Sequence, residues 1–322
     1  MWPRHDRAQA LGGFSMRIAV VGAGGVGGGF GAALAHAGAD VTFIARGAHL
    51  AAMKNHGLRI ESELGNTHLK PTQATDDPAT VGRVDYVLFC VKLWDVESAG
   101  EAIKPMVGPS TAVITLQNGV DAHERLIPIL GPQSVMPGVA GISATIAEPG
   151  LIRQTGKAMR MTFGEPDGSR SPRAVAFAEM CKKAGIDGVL SESILTDLWL
   201  KFLMLASNAS VSALTRLPLG KIRGDKNIDA LFLAAYREVV DVGRAVGIAL
   251  PPDAVDRAVA FTRNAPPHLM PSMATDLLRG NRIELPWLSG KLIELGTRHN
   301  VPTPTHTVMY AALKPYIMGT PA

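Results

Sequence analysis

Arg17–Ile18–Ala19–Val20–Val21–Gly22–Ala23–Gly24–Gly25–Val26–Gly27 decides the fold. Its first five residues, apolar after Arg17, read as a strand buried on both faces, the kind found in parallel sheets. Glycines then follow in the spacing G-x-G-x-x-G, and Val26 to Ala37 carries a helical pattern closed by Gly38. Strand, Gly-rich turn and helix in that order open a dinucleotide-binding unit. Gly22 permits the tight turn, Gly24 the close approach of a pyrophosphate, and Gly27 close packing of helix on strand. With Ala23, Gly25 and Val26 these residues form the predicted cofactor loop, where the helix N-terminus offers N–H groups and a positive dipole end to phosphates. A Gly-rich packing turn without a ligand is the bland alternative. The placement between a strand and a helix speaks against it.

Outward from that loop the α/β alternation continues. Val41–Ala45, Tyr86–Val91, Ala112–Leu116 and Val135–Ala140 read as further strands with helical stretches between most of them, which predicts a parallel sheet with right-handed crossovers. Leu58 to Thr75 looks like a hairpin-like excursion, Leu151 to Gly164 like short β segments, and Pro172 to Ala184 like a helix ended by Gly185. After about Glu192 strand signals stop. Ile194–Leu214, Asp229–Val246, Pro252–Arg263 and Leu288–His299 all read as helices. The expected organisation is a leader over 1–15, disordered or an over-extended start, then an α/β Rossmann domain over 16–190 and an all-α domain over 191–322.

The bulk properties fit this division. A chain of 322 residues is long for one core and suits two domains, and 47% hydrophobic against 19% charged residues allows large cores. The net charge of +4 is scattered, with no Lys/Arg block and only 5% aromatics, so neither nucleic acid nor a basic membrane patch is indicated. It does favour anionic small molecules. Met1–Ser15 lacks the apolar core of a signal peptide. Ile18 to Ala39 could span a bilayer on length alone, but its glycines fit a strand, turn and helix better. Cys90 and Cys181 form neither a disulfide framework nor a metal-ligand spacing, and suit a reducing cytoplasm. The pattern leaves the oligomeric state open, a homodimer through the helical half included.

The end of the second strand bears on the cofactor. Enzymes that use NAD usually place an acid there for the ribose 2′-hydroxyl. This chain has Arg46 and no acid between Val41 and His49, and a guanidinium pairs with a 2′-phosphate, so NADPH/NADP is expected. Lys92, after the strand ending at Val91, is a candidate second phosphate contact. Either cation could instead be an ordinary surface residue.

Several motifs in order carry a resemblance that runs from about Met16 to about Pro315. They are the Gly22–Gly27 loop, Ile44–Ala45–Arg46–Gly47, Cys90–Val91–Lys92, Leu116–Gln117–Asn118–Gly119–Val120, Leu198–Trp199–Leu200–Lys201–Phe202, and Ser272–Met273–Ala274–Thr275–Asp276 followed by Glu284. In these the chain resembles the ketopantoate reductase (2-dehydropantoate 2-reductase) family of pantothenate synthesis. The resemblance implies NADPH-linked reduction of a 2-oxo acid in a cleft between the domains. It implies a second domain like the C-terminal domain of 6-phosphogluconate dehydrogenase. It further implies Lys201 as proton donor, Asn118 beside the nicotinamide ribose and substrate, Ser272 on the substrate, and Glu284 on cofactor or substrate. Chemistry agrees at Lys201: hydride addition builds charge on a ketone oxygen, and a Lys in the apolar stretch Leu198–Leu205 can have its pKa lowered toward neutrality. Other roles stay open. Lys201 could pair with Asp197 or snorkel, Glu284 could belong to an Asn281-x-x-Glu284 capping box, and Asn118 could serve the turn at Gly119.

The chain departs from the family where substrate amides are expected. Leu205, Ala209, Leu219 and Leu269 stand where well-studied members carry Asn. Asn208 and Ser210 are close enough in sequence to compensate, although neighbours on a helix point in different directions. Three readings follow. The first is reduction of 2-dehydropantoate to pantoate. The second is NADPH-dependent reduction of a more apolar 2-oxo acid or ketone. The third is a non-catalytic NADPH-binding regulator, which would need neither Lys201 nor Glu284. A 6-phosphogluconate-type enzyme is disfavoured, because no G-G-x-x-K run stands on the helix that should carry the Lys.

Overall fold

The structure, a computed structural model, describes residues 15–321, so all of the expected leader but Ser15 lies outside the described residues. The described chain forms two compact units. One comprises the residues up to Gln117 and Asp121–Ile194, the other Asn118–Val120 and the chain from Leu195 onward.

The first unit is an α/β sandwich. Its strands are β1 (Arg17–Val21), β2 (Asp40–Ile44), β3 (Leu58–Glu61), β4 (Thr67–Leu69), β5 (Gln73–Thr75), β6 (Val84–Phe89), β7 (Val107–Thr115), β8 (Val135–Glu148), β9 (Leu151–Phe163) and β10 (Asp187–Leu190). Its helices are α1 (Gly25–His36), α2 (Gly47–His56), α3 (Val96–Ala102), α4 (Ala122–Leu130) and α5 (Pro172–Lys183). The order β5-β2-β1-β6-β7-β8 is parallel throughout, and the order of strand addition reverses between β1 and β6, the switch point at whose carboxyl ends sheets of this kind bind ligands. Burial explains the unbroken apolar runs: Ile18, Ala19, Val20 and Val21 are all buried, as are Val87, Leu88 and Phe89 beside them. The span Ile18–Ala39, read as long enough for a membrane, is divided between β1, the loop and α1.

One expectation for this unit changes and another is met and extended. Leu151–Phe163 is one 13-residue strand, antiparallel to β8, rather than the short β segments expected over Leu151–Gly164. Register shifts between Ile142 and Ala144 and between Ile146 and Glu148 interrupt the period-2 pattern that would have revealed the hairpin. The excursion at Leu58–Thr75 is indeed a hairpin of β3 and β4, continued by β5, which adds in parallel to β2.

The second unit is helical: α6 (Ile194–Thr215), α7 (Leu219–Ile222), α8 (Lys226–Ala245), α9 (Ala254–Asn264), α10 (Ser272–Leu278), α11 (Ser289–Arg298) and α12 (Pro304–Leu313). Among the described residues, α6 alone is long and apolar enough to cross a membrane, and most of its apolar window is buried inside the protein. Phe202, Leu203, Ala206 and Ala209 of α6 pack with Ala235, Tyr236 and Val239 of α8. Helices α7, α10 and α12 were not among those read from sequence. The first two span four and seven residues, too short for a periodic pattern to show.

Candidate active site

In the first unit the glycine loop is built much as its spacing implies. Gly22 has φ +91°, and both its N–H and that of Ala23 donate to the Ile44 carbonyl at 3.2 and 3.3 Å, tying the loop to the end of β2. Gly24 caps α1 with no side-chain hydrogen bond, and a Cβ there would meet nothing within 4 Å. The helix N-terminus therefore stands before open space that a phosphate can fill. Gly25 and Val26 begin α1, and Gly27 presses on the strand side, where a Cβ would lie 2.3 Å from the Gly22 oxygen and 2.9 Å from Val20 Cγ1.

Arg46 is exposed and caps α2, so its guanidinium springs from the carboxyl end of β2. Lys92 is exposed at the carboxyl end of β6, with its ammonium 5.6 Å from the centre of the Trp94 ring. The loop and these two cations fit an anionic dinucleotide. Gln117, quoted in a motif above without a role, is buried and donates through Nε2 to the carbonyls of Phe89 and Val91 at 2.7 and 3.3 Å, fastening the end of β6.

The second unit brings three predicted residues together. Asn118 Nδ2 donates to Glu284 Oε2 at 3.3 Å, although the two are 166 positions apart. Glu284 is buried and its carboxylate acts on Lys201. Burial lowers the Lys201 pKa to about 8, and the Glu284 charge opposes part of that shift. An ammonium with a near-neutral pKa beside a buried carboxylate can give up a proton and be recharged at neutral pH. Glu284 is itself the N-cap of a short 3-10 turn, with no capping bond from its side chain, so it does not close a box with Asn281. Ser272 stands apart, exposed at the first position of α10 and outside the hydrogen bond that joins Asn118 to Glu284.

The chain matches the family described as Ketopantoate reductase PanE/ApbA over residues 18–168, and that family's C-terminal part over residues 193–316. The chain belongs to the ketopantoate reductase family. A 2-dehydropantoate 2-reductase of Mesorhizobium japonicum is 32% identical over 320 residues, covering 93% of this chain and 97% of its own. The crystal structure of a ketopantoate reductase of this family from Ralstonia eutropha JMP134 superposes with a TM-score of 0.86 at 32% identity, over 94% of this chain and 98% of that one. A D-mandelate dehydrogenase solved with NADH and anilino(oxo)acetate reaches the same TM-score at 18% identity, over 94% of this chain and 98% of its own, and shares the fold. As a ketopantoate reductase family member, the chain is a nicotinamide-dependent oxidoreductase acting on CH–OH groups and the matching ketones.

The four positions that depart from the family lie in an apolar setting. Leu205 and Ala209 follow Lys201 at helical spacings of four and eight on α6, and Leu219 N–H donates to the Leu269 carbonyl at 3.0 Å. Ala209 and Leu219 are fully buried, and Leu205 and Leu269 pack against the same core. Asn208 and Ser210 do not compensate. Asn208 Nδ2 donates to Thr262 Oγ1 at 3.1 Å while its Oδ1 accepts from the Tyr236 hydroxyl. Ser210 Oγ lies 2.8 Å from Ser289 Oγ, which continues to His306 Nδ1 at 2.9 Å. Both side chains are spent inside the helical core.

Proposed function

We propose that this chain reduces a 2-oxo acid to the 2-hydroxy acid with NADPH, with 2-dehydropantoate to pantoate as the first candidate reaction. The observation that carries the reading is the grouping of Asn118, Glu284 and a pKa-lowered Lys201. The nicotinamide, when bound, supplies a hydride to the ketone carbon. Lys201 offsets the charge that develops on the ketone oxygen and passes it a proton, and solvent recharges the amine. Glu284 favours the charged form of Lys201 and accepts from Asn118, which holds that amide in one orientation. The reading also places the reaction in the cytoplasm, which suits two free cysteines.

NADPH preference rests on Arg46. Charge-assisted hydrogen bonds are worth roughly 1.5–3 kcal/mol each, so NADPH should be preferred over NADH by about tenfold or more. Arg46→Ala is expected to raise the KM for NADPH and to leave that for NADH nearly unchanged. Equal use of both cofactors by the wild-type enzyme would sink the assignment.

A second reading is favoured by Leu205 and Leu269, the partly exposed members of the apolar group whose Ala209 and Leu219 are fully buried. An unpaired buried hydroxyl costs about 1–3 kcal/mol, whereas each buried methylene gains only about 0.8 kcal/mol. One lost hydroxyl contact therefore offsets one or two methylenes. On this reading the enzyme reduces a 2-oxo acid with a branched aliphatic side chain at least as well as ketopantoate. The fold alone does not choose, since a D-mandelate dehydrogenase shares it. Measuring kcat/KM for ketopantoate and for its analogue without the terminal hydroxyl decides between the readings. A preference for ketopantoate above about a hundredfold returns the enzyme to the first reading, because a discrimination that size requires buried polar partners for the hydroxyl.

A further inference from the structure

His49 lies on the first turn of α2, three residues after Arg46, and is half-buried. Both of its ring nitrogens are engaged, and by different elements. Nε2 lies 2.9 Å from the carbonyl oxygen of Ala23, the second residue of the glycine loop. Nδ1 accepts the N–H of Gly150, at the turn between β8 and β9, at 3.0 Å. A carbonyl can only accept and an N–H can only donate. The pair therefore fixes the neutral ring with its proton on Nε2. Burial also lowers the pKa of His49, in the direction that keeps this form, while the bond to Ala23 acts in the opposite sense.

The ring joins three pieces of the first unit. The turn at Gly150 packs on α2, where a Cβ on Gly150 would lie 3.0 Å from Ala52 Cβ. The loop is held from β2 by the two N–H bonds to Ile44. His49 adds a third tie, from the helix whose cap is Arg46. Of these ties, only the ring links the loop to α2 through a side chain.

We propose that His49 is a positioning residue that couples the glycine loop to the arginine end of α2, so that the phosphate cradle and the Arg46 guanidinium are held in one arrangement for NADPH. The inference rests on the reading of Arg46 as the 2′-phosphate contact. Without the ring, the Ala23 carbonyl and the Gly150 N–H lose their partners, and the loop keeps only its ties to Ile44, so its placement against the α2 cap loosens. A cofactor that uses both loses more than one that uses the loop alone.

The test is a titration of NADPH and NADH into the full-length wild type and the variants His49→Ala, His49→Gln, Arg46→Ala and the double variant, with melting temperatures recorded for each. His49→Ala should weaken NADPH binding by about tenfold, the size expected when two buried hydrogen bonds are lost. NADH should lose about threefold or less, as befits a cofactor that makes no use of Arg46. Steady-state kinetics should show the KM for NADPH rising by more than kcat falls. His49→Gln keeps one donor and one acceptor on the side chain and should recover most of the affinity. In the Arg46→Ala background, His49→Ala should leave the NADPH-to-NADH ratio where it stands. Equal losses for both cofactors overturn the coupling, as do NADPH affinity within twofold of wild type and a Gln variant no better than Ala. Failure of the underlying reading looks different: the wild type itself would then bind both cofactors alike, and the coupling would go with it.

Discussion

Replacing Lys201 by Ala is expected to lower kcat for 2-oxo acid reduction by about 10²–10⁴, the range of a lost general acid, with NADPH binding little changed. The reason lies in what the ketone oxygen needs at the moment of hydride addition. It acquires charge, and that charge must be met by a cation or a proton already in place. Lys201 can supply both, because burial has brought its pKa down to about 8 while Glu284 keeps it from falling further. Lys201→Arg separates the two contributions. A guanidinium keeps the positive charge but does not release its proton in a protein. If proton transfer matters, the Arg variant should be nearly as slow as the Ala variant. Should the Ala variant bind NADPH normally and turn over within about threefold of wild type, a span too small for a general acid, Lys201 is not the proton donor.

The lowered pKa also gives a pH signature whose sense is fixed. In the reductive direction the acid must carry its proton, so kcat should be level below the Lys201 pKa and fall above it. In the oxidative direction the neutral amine acts as base, so the same group should give a rise. Both limbs start from a pKa of about 8 in the free protein. A bound carboxylate substrate moves them upward, because a nearby anion favours the ammonium. The Ala variant should lack both limbs.

The cofactor loop was legible in the sequence because its geometry is local. Gly22 and Gly27 are five positions apart in sequence and in direct contact in space, so spacing alone encodes their roles. The Lys201, Asn118 and Glu284 group was not legible in that way. Its members come from α6, the chain after β7 and the chain before α11, and only the family resemblance tied them together. His49 was missed for another reason. Its two partners are backbone atoms, and backbone atoms leave no mark on residue identity. In the fold, the parallel strands were readable as apolar runs because both of their faces are buried. Strand β10 was not, since Asp187–Leu190 is short and none of it is buried. The same contrast explains the helical unit: α6 and α8, of 22 and 20 residues, carry several turns of pattern, whereas α7 carries one.

Gly27→Ala is expected to cost cofactor affinity although it adds a single carbon to a helix. In an isolated helix this substitution would be favourable, since Ala exceeds Gly by about 1 kcal/mol in propensity. Here the added Cβ would sit 2.3 Å from the Gly22 carbonyl oxygen, 2.9 Å from Val20 Cγ1 and 3.1 Å from Cys90 Cβ. The nearest of these is backbone, and its residue is already held at φ +91° with its N–H on the Ile44 carbonyl. Room can be made only by lifting α1 from β1 or by turning the Gly22 peptide, and either one displaces the phosphate cradle. Overpacking of this kind costs about 1–3 kcal/mol, equivalent to roughly 5–150-fold in a binding constant if it falls on the bound state. The measurement is NADPH affinity and melting temperature together. The expected result is affinity down by at least about tenfold, within that range, and a melting temperature lower by a few degrees. Gly29→Ala is the control on the same helix, because its Cβ would meet Ile142 Cδ1 at 2.9 Å, the movable end of a side chain. That variant should bind NADPH as the wild type does. If Gly27→Ala also binds normally, the close contact of helix and strand is not what shapes the cradle, and the third glycine of the motif serves packing alone.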